Sequence, residues 1–200
     1  MMYKSVKIGE ITIMNGDLPA GEAGKFSVFA GLDKKLVSKL KALSLDKKDK
    51  ELQKNTGDYK RFGVGSYSTW YKKNRVPFAL VHQSSGALAG IVWFGPKSLG
   101  TKSIKYIAKE EPAKKCETEW ENVWHTIAFR SYPPFRGIGL AKKFVNIALG
   151  AYLKKFPHAK IWNGIYTKNI ASKKLSESLG FKTLEKLSDR EANWLVMVKY

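Results

Sequence analysis

The chain has 200 residues, 44% of them hydrophobic, with six tryptophans, enough for one packed core. Lys and Arg number 36 against 17 acidic residues, a formal net charge of +19; this attracts nucleic acid, anionic membrane surfaces or phosphorylated ligands, although the lysines are scattered and form no basic block. A single cysteine, Cys116, excludes an internal disulfide framework and a cysteine-based zinc cluster. No apolar run approaches the ~18 residues of a membrane span, and the start MMYKSVKIGEITIM has no signal-peptide core. A soluble, intracellular, cytoplasmic protein is expected.

Residues 5–14 alternate enough to predict a first strand, and NGDLPAGEAG is read as a loop from its Gly, Pro and Asn content. From Asp33, a candidate cap, Leu36, Val37, Leu40 and Leu43 fall on one face of a helix whose other faces carry lysines. DKKDKELQKNTGD is a solvated helix or a connector, and GVGSYSTWYKKN ends in a short helix after Ser66 or Ser68. PFALVHQ and ALAGIVWFGP, separated by SSG, make a hairpin. The polar stretch 101–120 is ambiguous, whereas Glu121–Ser131, rich in aromatic and β-branched residues, reads as a strand.

That strand runs into PPFRGIGLAKKF. Leu140, Phe144, Val145, Ala148, Leu149, Tyr152 and Leu153 then recur at helical spacing until Pro157. HAKIWNGIY follows as a strand, completing a βαβ crossover. TKNIASKKLSESLGF is a second helix stopped by Gly180, and FKTLEKL and NWLVMVKY close the chain as two antiparallel strands. A helix that starts behind a glycine turn offers free N–H groups and a dipole to an anion. Gly137 and Gly139 remove Cβ atoms that would hold a phosphate away, and Arg136 adds a positive charge. The spacing is neither that of a P-loop nor of the dinucleotide fingerprint, whose third glycine position here is Lys142.

Together, the strand, PPFRGIGLA, the helix, the next strand and NIASKKLSESLGF resemble the GNAT superfamily of acyl-CoA-dependent N-acetyltransferases, over roughly residues 78–200. The resemblance implies an α/β fold: a mixed, mostly antiparallel sheet with a splayed central parallel pair and helices on both faces. It implies one domain over residues 1–200, with 1–75 on the acceptor side and 76–200 as the acyl-CoA-binding core. Acetyl-CoA is then the acyl donor, and no metal is called for. In the family the strands splay at a bulge, and here that region falls at Ala128–Ser131. Phe129, Arg130 and Ser131 would pair with the pantetheine, and a backbone N–H of Phe129 or Arg130 would bind the thioester oxygen as it becomes an oxyanion. Arg136, Gly137, Ile138, Gly139, Leu140 and Ala141 would carry the pyrophosphate. Asn169, with Lys173 on the same helix, would lie beside the pantetheine arm.

The pattern departs from the family in two places. Pro134 stands at the Q/R position of the loop and has no N–H to donate. Ser176 stands where the family often has the tyrosine that protonates the leaving thiolate; that proton would come from water or from Tyr166, or be dispensable for a thiol with a pKa of about 8.5. An amine acceptor must also lose a proton before attack. The family's strand glutamate falls at Val123, leaving Glu121 and His125 on the same face as candidate bases. His82 and His158 have no spacing partner for a metal, and Cys116 is incidental. The tryptophans of the strands fill the core, while Trp70 and Tyr71 are candidates for an acceptor pocket.

The expected function is transfer of an acetyl group from acetyl-CoA to a small-molecule or peptide amine, with the acceptor decided by residues 15–75. The basic charge favours an acidic or phosphate-bearing acceptor over a polyamine. Two alternatives use the same residues. One is an acetyltransferase whose acceptor is borne by RNA or a ribosomal protein, with strongly salt-dependent RNA binding. The other is a non-catalytic module that binds CoA or nucleic acid.

Overall fold

The computed structural model describes residues 11–101 and 124–200. Eight strands form one sheet, β1 (Thr12–Pro19), β2 (Lys25–Ala30), β3 (Val76–His82), β4 (Leu88–Pro96), β5 (Trp124–Ser131), β6 (Lys160–Tyr166), β7 (Lys182–Thr183) and β8 (Trp194–Lys199), in the order β1-β2-β3-β4-β5-β6-β8-β7. Every neighbouring pair is antiparallel except β5 and β6. This is the mixed, mostly antiparallel sheet with a central parallel pair that the sequence resemblance implies.

β4 explains why the sheet is covered on both sides. Its residues are buried at every position but the last, the pattern of a strand with packing on both faces. Val92 and Phe94 face a core shared with α4 (Leu140–Lys155), where Phe144, Val145, Ala148 and Tyr152 supply the apolar stripe. Leu175 and Leu179, at the end of α5 (Ile170–Ser178), join that core. Ile91 and Trp93 face a second core with Leu36 and Leu40 of α1 (Lys34–Leu45), Leu52 of α2 (Lys50–Asn55), Phe62, and Trp70 of α3 (Tyr67–Tyr71). A π-helical turn, Tyr59–Gly63, joins α2 to α3.

The N-terminal strands differ from expectation. Asn15–Pro19, read as loop, continue β1 along the edge of the sheet through two register irregularities; an edge tolerates Gly and Pro that a central strand would reject. β2 had no counterpart in the reading of the sequence. FKTLEKL shrinks to the two residues of β7 and a 3-10 turn, Glu185–Leu187. The stretch 102–123, with Cys116, Glu121 and Val123, lies outside the described residues.

Candidate active site

Four of the five described α-helices begin with a side-chain cap. Asp33, Asp49, Ser66 and Asn169 each accept a hydrogen bond from a first-turn N–H, those of Leu36, Leu52, Thr69 and Ser172. The fifth, α4, is the longest and begins at Gly139 with no side-chain cap. Gly137 and Gly139 hold left-handed φ values of 86° and 78°, and a Cβ at either would meet nothing within 4 Å. The loop lines the cavity, and no side chain caps the first-turn N–H groups of α4, the arrangement that favours an anion.

Arg136 does not add the charge expected of it. Its Nη1 and Nη2 donate to the two carboxylate oxygens of Asp49, at 3.0 and 2.6 Å, and Nε and Nη2 also donate to the Ser131 carbonyl. Burial pushes the Asp49 pKa up, but the Arg136 hydrogen bond, the Leu52 N–H and the Arg136 charge together bring it below the usual value. The guanidinium thus ties the end of β5 to the start of α2, and an anion at this loop would have to rely on backbone N–H groups.

The strand gap lies beside this loop. β5 and β6 pair only at Trp124–Lys160, His125–Ile161 and Thr126–Trp162; beyond that, β5 follows β4 to Ser131 and β6 follows β8 to Tyr166. The register irregularity sits in β4, where Ala89 is the extra residue opposite β3, and β5 itself keeps an even register with β4 through Ala128–Ser131. The Tyr132 N–H donates to the Ala89 carbonyl and the Lys97 N–H to the Trp124 carbonyl. By alternation, even-numbered residues of β5 bond to β4 and odd-numbered ones face β6. The N–H of Phe129 accordingly faces the gap, whereas that of Arg130 is turned into the β4 ladder. The Arg130 guanidinium is engaged as well: it donates to Asp58 at 2.7 and 3.2 Å and to the Phe129 carbonyl at 2.7 Å.

His125 is turned away from the gap. Only 5% exposed, it faces α4, with Nδ1 2.5 Å from the Tyr152 hydroxyl. Burial, with a lesser contribution from Arg75, lowers its pKa to about 4. It does not line the cavity, so the general-base assignment fails on geometry; sequence alternation gives a face but not which face. Tyr166, the last residue of β6, does line it. Ser176 is fully buried: it accepts from Asn163 Nδ2 at 2.7 Å and donates to the Ser172 carbonyl at 2.9 Å. Asn163, 3% exposed, borders the cavity and its Oδ1 has no partner among the described residues. Asn169 lies on the wall, its Oδ1 occupied by the cap of α5, while Lys173 points outward with Nζ 3.8 Å from Glu177.

The cavity, about 1020 Å³, joins the α4 loop to the opposite face of the sheet, at the upper end of the range for small-molecule sites. On that face Trp70, Trp93, Trp162 and Trp194 contribute to its walls, as do Arg61, Arg75 and Lys97. Tyr71 is buried, stacked on Tyr67, and does not line it. The basic side chains were not singled out from the sequence, because they come from three separate segments of a lysine-rich chain. Burial first, then Arg75 and Arg61, lowers the Lys97 pKa to about 8. Among the described residues, no group of three potential metal ligands occurs, and no helix is long and apolar enough to cross a membrane.

No family model matches the sequence, and no curated protein matches it. Solved structures do. The GNAT domain of S. lividans PAT superposes with a TM-score of 0.59 at 13% identity, over 93% of this chain and 96% of that one. An acetyltransferase from Agrobacterium tumefaciens gives 0.57 at 10% identity, over 100% and 98%. Spermidine N-acetyltransferase from Vibrio cholerae, in complex with CoA and spermine, gives 0.55 at 16% identity, over 86% and 92%. At these identities the likeness is one of architecture: the chain has the GNAT acetyltransferase fold.

Proposed function

We propose that the chain is an acyl-CoA-dependent N-acetyltransferase that moves an acetyl group from acetyl-CoA to a primary amine by direct attack. One observation carries this reading: the only described α-helix without a side-chain cap opens its N-terminus into a cavity that continues through a gap between parallel strands. The loop from Arg136 to Ala141 holds the pyrophosphate through backbone N–H groups, and the odd-numbered edge of β5 pairs with the pantetheine amides as a short strand would. Residues 76–200 carry the acyl donor, and residues 1–75 help to shape the acceptor side.

The amine nitrogen attacks the thioester carbon, and the carbonyl oxygen gains negative charge within reach of the Phe129 N–H. As the carbon–sulfur bond breaks, the thiolate takes a proton from Tyr166 or solvent. The ammonium proton lost before attack passes to solvent or to Glu121. Ser176 has no part in proton transfer, because its hydroxyl is held by Asn163 and Ser172. Holding amine and thioester together is itself a large contribution, ~7 kcal/mol or more in favourable cases.

Titration calorimetry with CoA and acetyl-CoA, followed by thiol release across a panel of primary amines, tests the reading. Saturable heat with both ligands and acceptor-dependent thiol release are expected. No heat, together with unmoved thermal melts, overturns donor binding. Binding without release on any amine overturns the transferase reading in favour of a coenzyme-binding module.

A further inference from the structure

Three cations meet on the acceptor side of the gap. Arg75 lies across Gly95 of β4, where a Cβ would stand 2.8 Å from its Nη1, and donates to the Pro96 carbonyl at 3.3 Å. Among the described residues no carboxylate pairs with it. Lys97, two residues further on, donates to the Thr101 carbonyl at 2.8 Å and sits 5.3 Å from the centre of the Trp162 ring. Arg61 bonds to Asp58 at 2.5 Å, but Asp58 also serves Arg130, so one fully buried carboxylate answers two guanidinium groups. Both of those groups rest on the Trp93 ring, at 5.5 and 4.8 Å. Glu51 is the single acidic residue among the described walls of the cavity, and it is hydrogen-bonded to Asn55.

We infer that the acceptor is an amine that also bears an anionic group, a carboxylate or a phosphate, seated against Arg75, with Lys97 and Arg61 on the same wall of the cavity. The inference rests on the acyltransferase reading for the word acceptor, but the anion site stands on its own geometry. A partly desolvated guanidinium without a carboxylate is costly, and an incoming anion removes that cost while making charge-assisted, forked hydrogen bonds. The same charges disfavour the protonated form of a nearby amine, which supplies neutral nucleophile without a dedicated base on β5. Burial is the main cause of the lowered pKa values of Arg61, Arg75 and Lys97; Arg61 adds to it at Arg75, Arg75 and Arg61 add to it at Lys97, and at Arg61 the Asp58 charge opposes it while Arg130 adds to it. The V. cholerae neighbour was solved with spermine; a polycation brought into this cavity would meet charges of its own sign. The tryptophan walls suit a flat apolar body beside the anion.

The test uses pairs of ligands that differ in the anion and needs no coenzyme. N-acetylphenylalanine is compared with N-acetylphenylalaninamide, and phosphorylated N-acetylethanolamine with N-acetylethanolamine, by calorimetry on the full chain. In at least one pair the anion should bind at least tenfold more tightly, and the pair that responds identifies carboxylate or phosphate. The ratio should fall towards one in Arg75→Gln and be partly restored in Arg75→Lys; Lys97→Met, at a second position, should also lower it. Thermal melts establish that the variants are folded. No preference for the anion in either pair, or a ratio untouched in folded Arg75→Gln and Lys97→Met, overturns the inference. Because CoA is absent, loss of the donor reading and loss of this one are separate results.

Discussion

His125 is a residue whose chemistry is set by where its strand turns it. Its folded pKa of about 4 lies below the ordinary 6.5, so between those values the unfolded chain binds more protons and stability rises with pH. The contribution is fully present above about pH 6.5 and is lost as pH falls through 4, by about 3 kcal/mol at most. His125→Asn loses the Tyr152 hydrogen bond and should unfold at lower denaturant than the wild type at pH 7. Its deficit should shrink between pH 6.5 and 4.5, because the variant has no imidazole to charge. Parallel losses in the two proteins over that range would contradict the assignment. Arg136 makes a related point: a basic residue beside the glycines of the α4 loop is committed to Asp49, so the proposed pyrophosphate contact would fall to main-chain groups.

At the scale of elements, α4 is the one described α-helix whose first turn has no side-chain cap, and the proposed reading places the pyrophosphate there for that reason. Replacing Gly139 by Ala puts a Cβ on a left-handed residue at a cost of ~1–2 kcal/mol, with no clash to relieve. Denaturant midpoints should report that cost. CoA binding should weaken by about tenfold or more, the equivalent of ~1.4 kcal/mol, because the new methyl stands at the mouth of the N–H cluster. Unchanged affinity for CoA in a folded variant would remove the loop from the donor site. The hairpin, β5, α4, β6 and α5 were all legible because glycine, proline and capping residues punctuate clear periodic runs. β2 was not, since six residues between Gly24 and Gly31 are too few to establish a period. Asn15–Pro19 misled because their composition is that of a loop while their position is a sheet edge.

For the whole molecule, the sequence conveyed the architecture and the glycine turn before α4 better than the cavity on the opposite face of the sheet. PPFRGIGLA and NIASKKLSESLGF are contiguous, so the resemblance that implies their roles is visible in the sequence alone. The cavity wall on the face opposite α4 is assembled from Arg61, Arg75, Lys97 and tryptophans contributed by distant segments, and only the fold brings them together. The +19 charge was equally ambiguous from composition alone. Its informative part is the small fraction gathered around Trp93 and Gly95, where burial reduces solvent screening.

The parallel contact of β5 with β6 is three residue pairs long, so the five strands β1–β5 are sutured to the remaining three by a short main-chain seam, with α4 crossing between them. Whatever threads the gap would lengthen that seam from within, bridging amides on β5 to the facing edge of β6. Amide hydrogen exchange should then slow together at Phe129 on one side and Gly164 on the other when CoA is added, before any acceptor is present. Slowing confined to the α4 loop would mean that the coenzyme stops at its phosphates and leaves the two parts of the sheet mechanically independent.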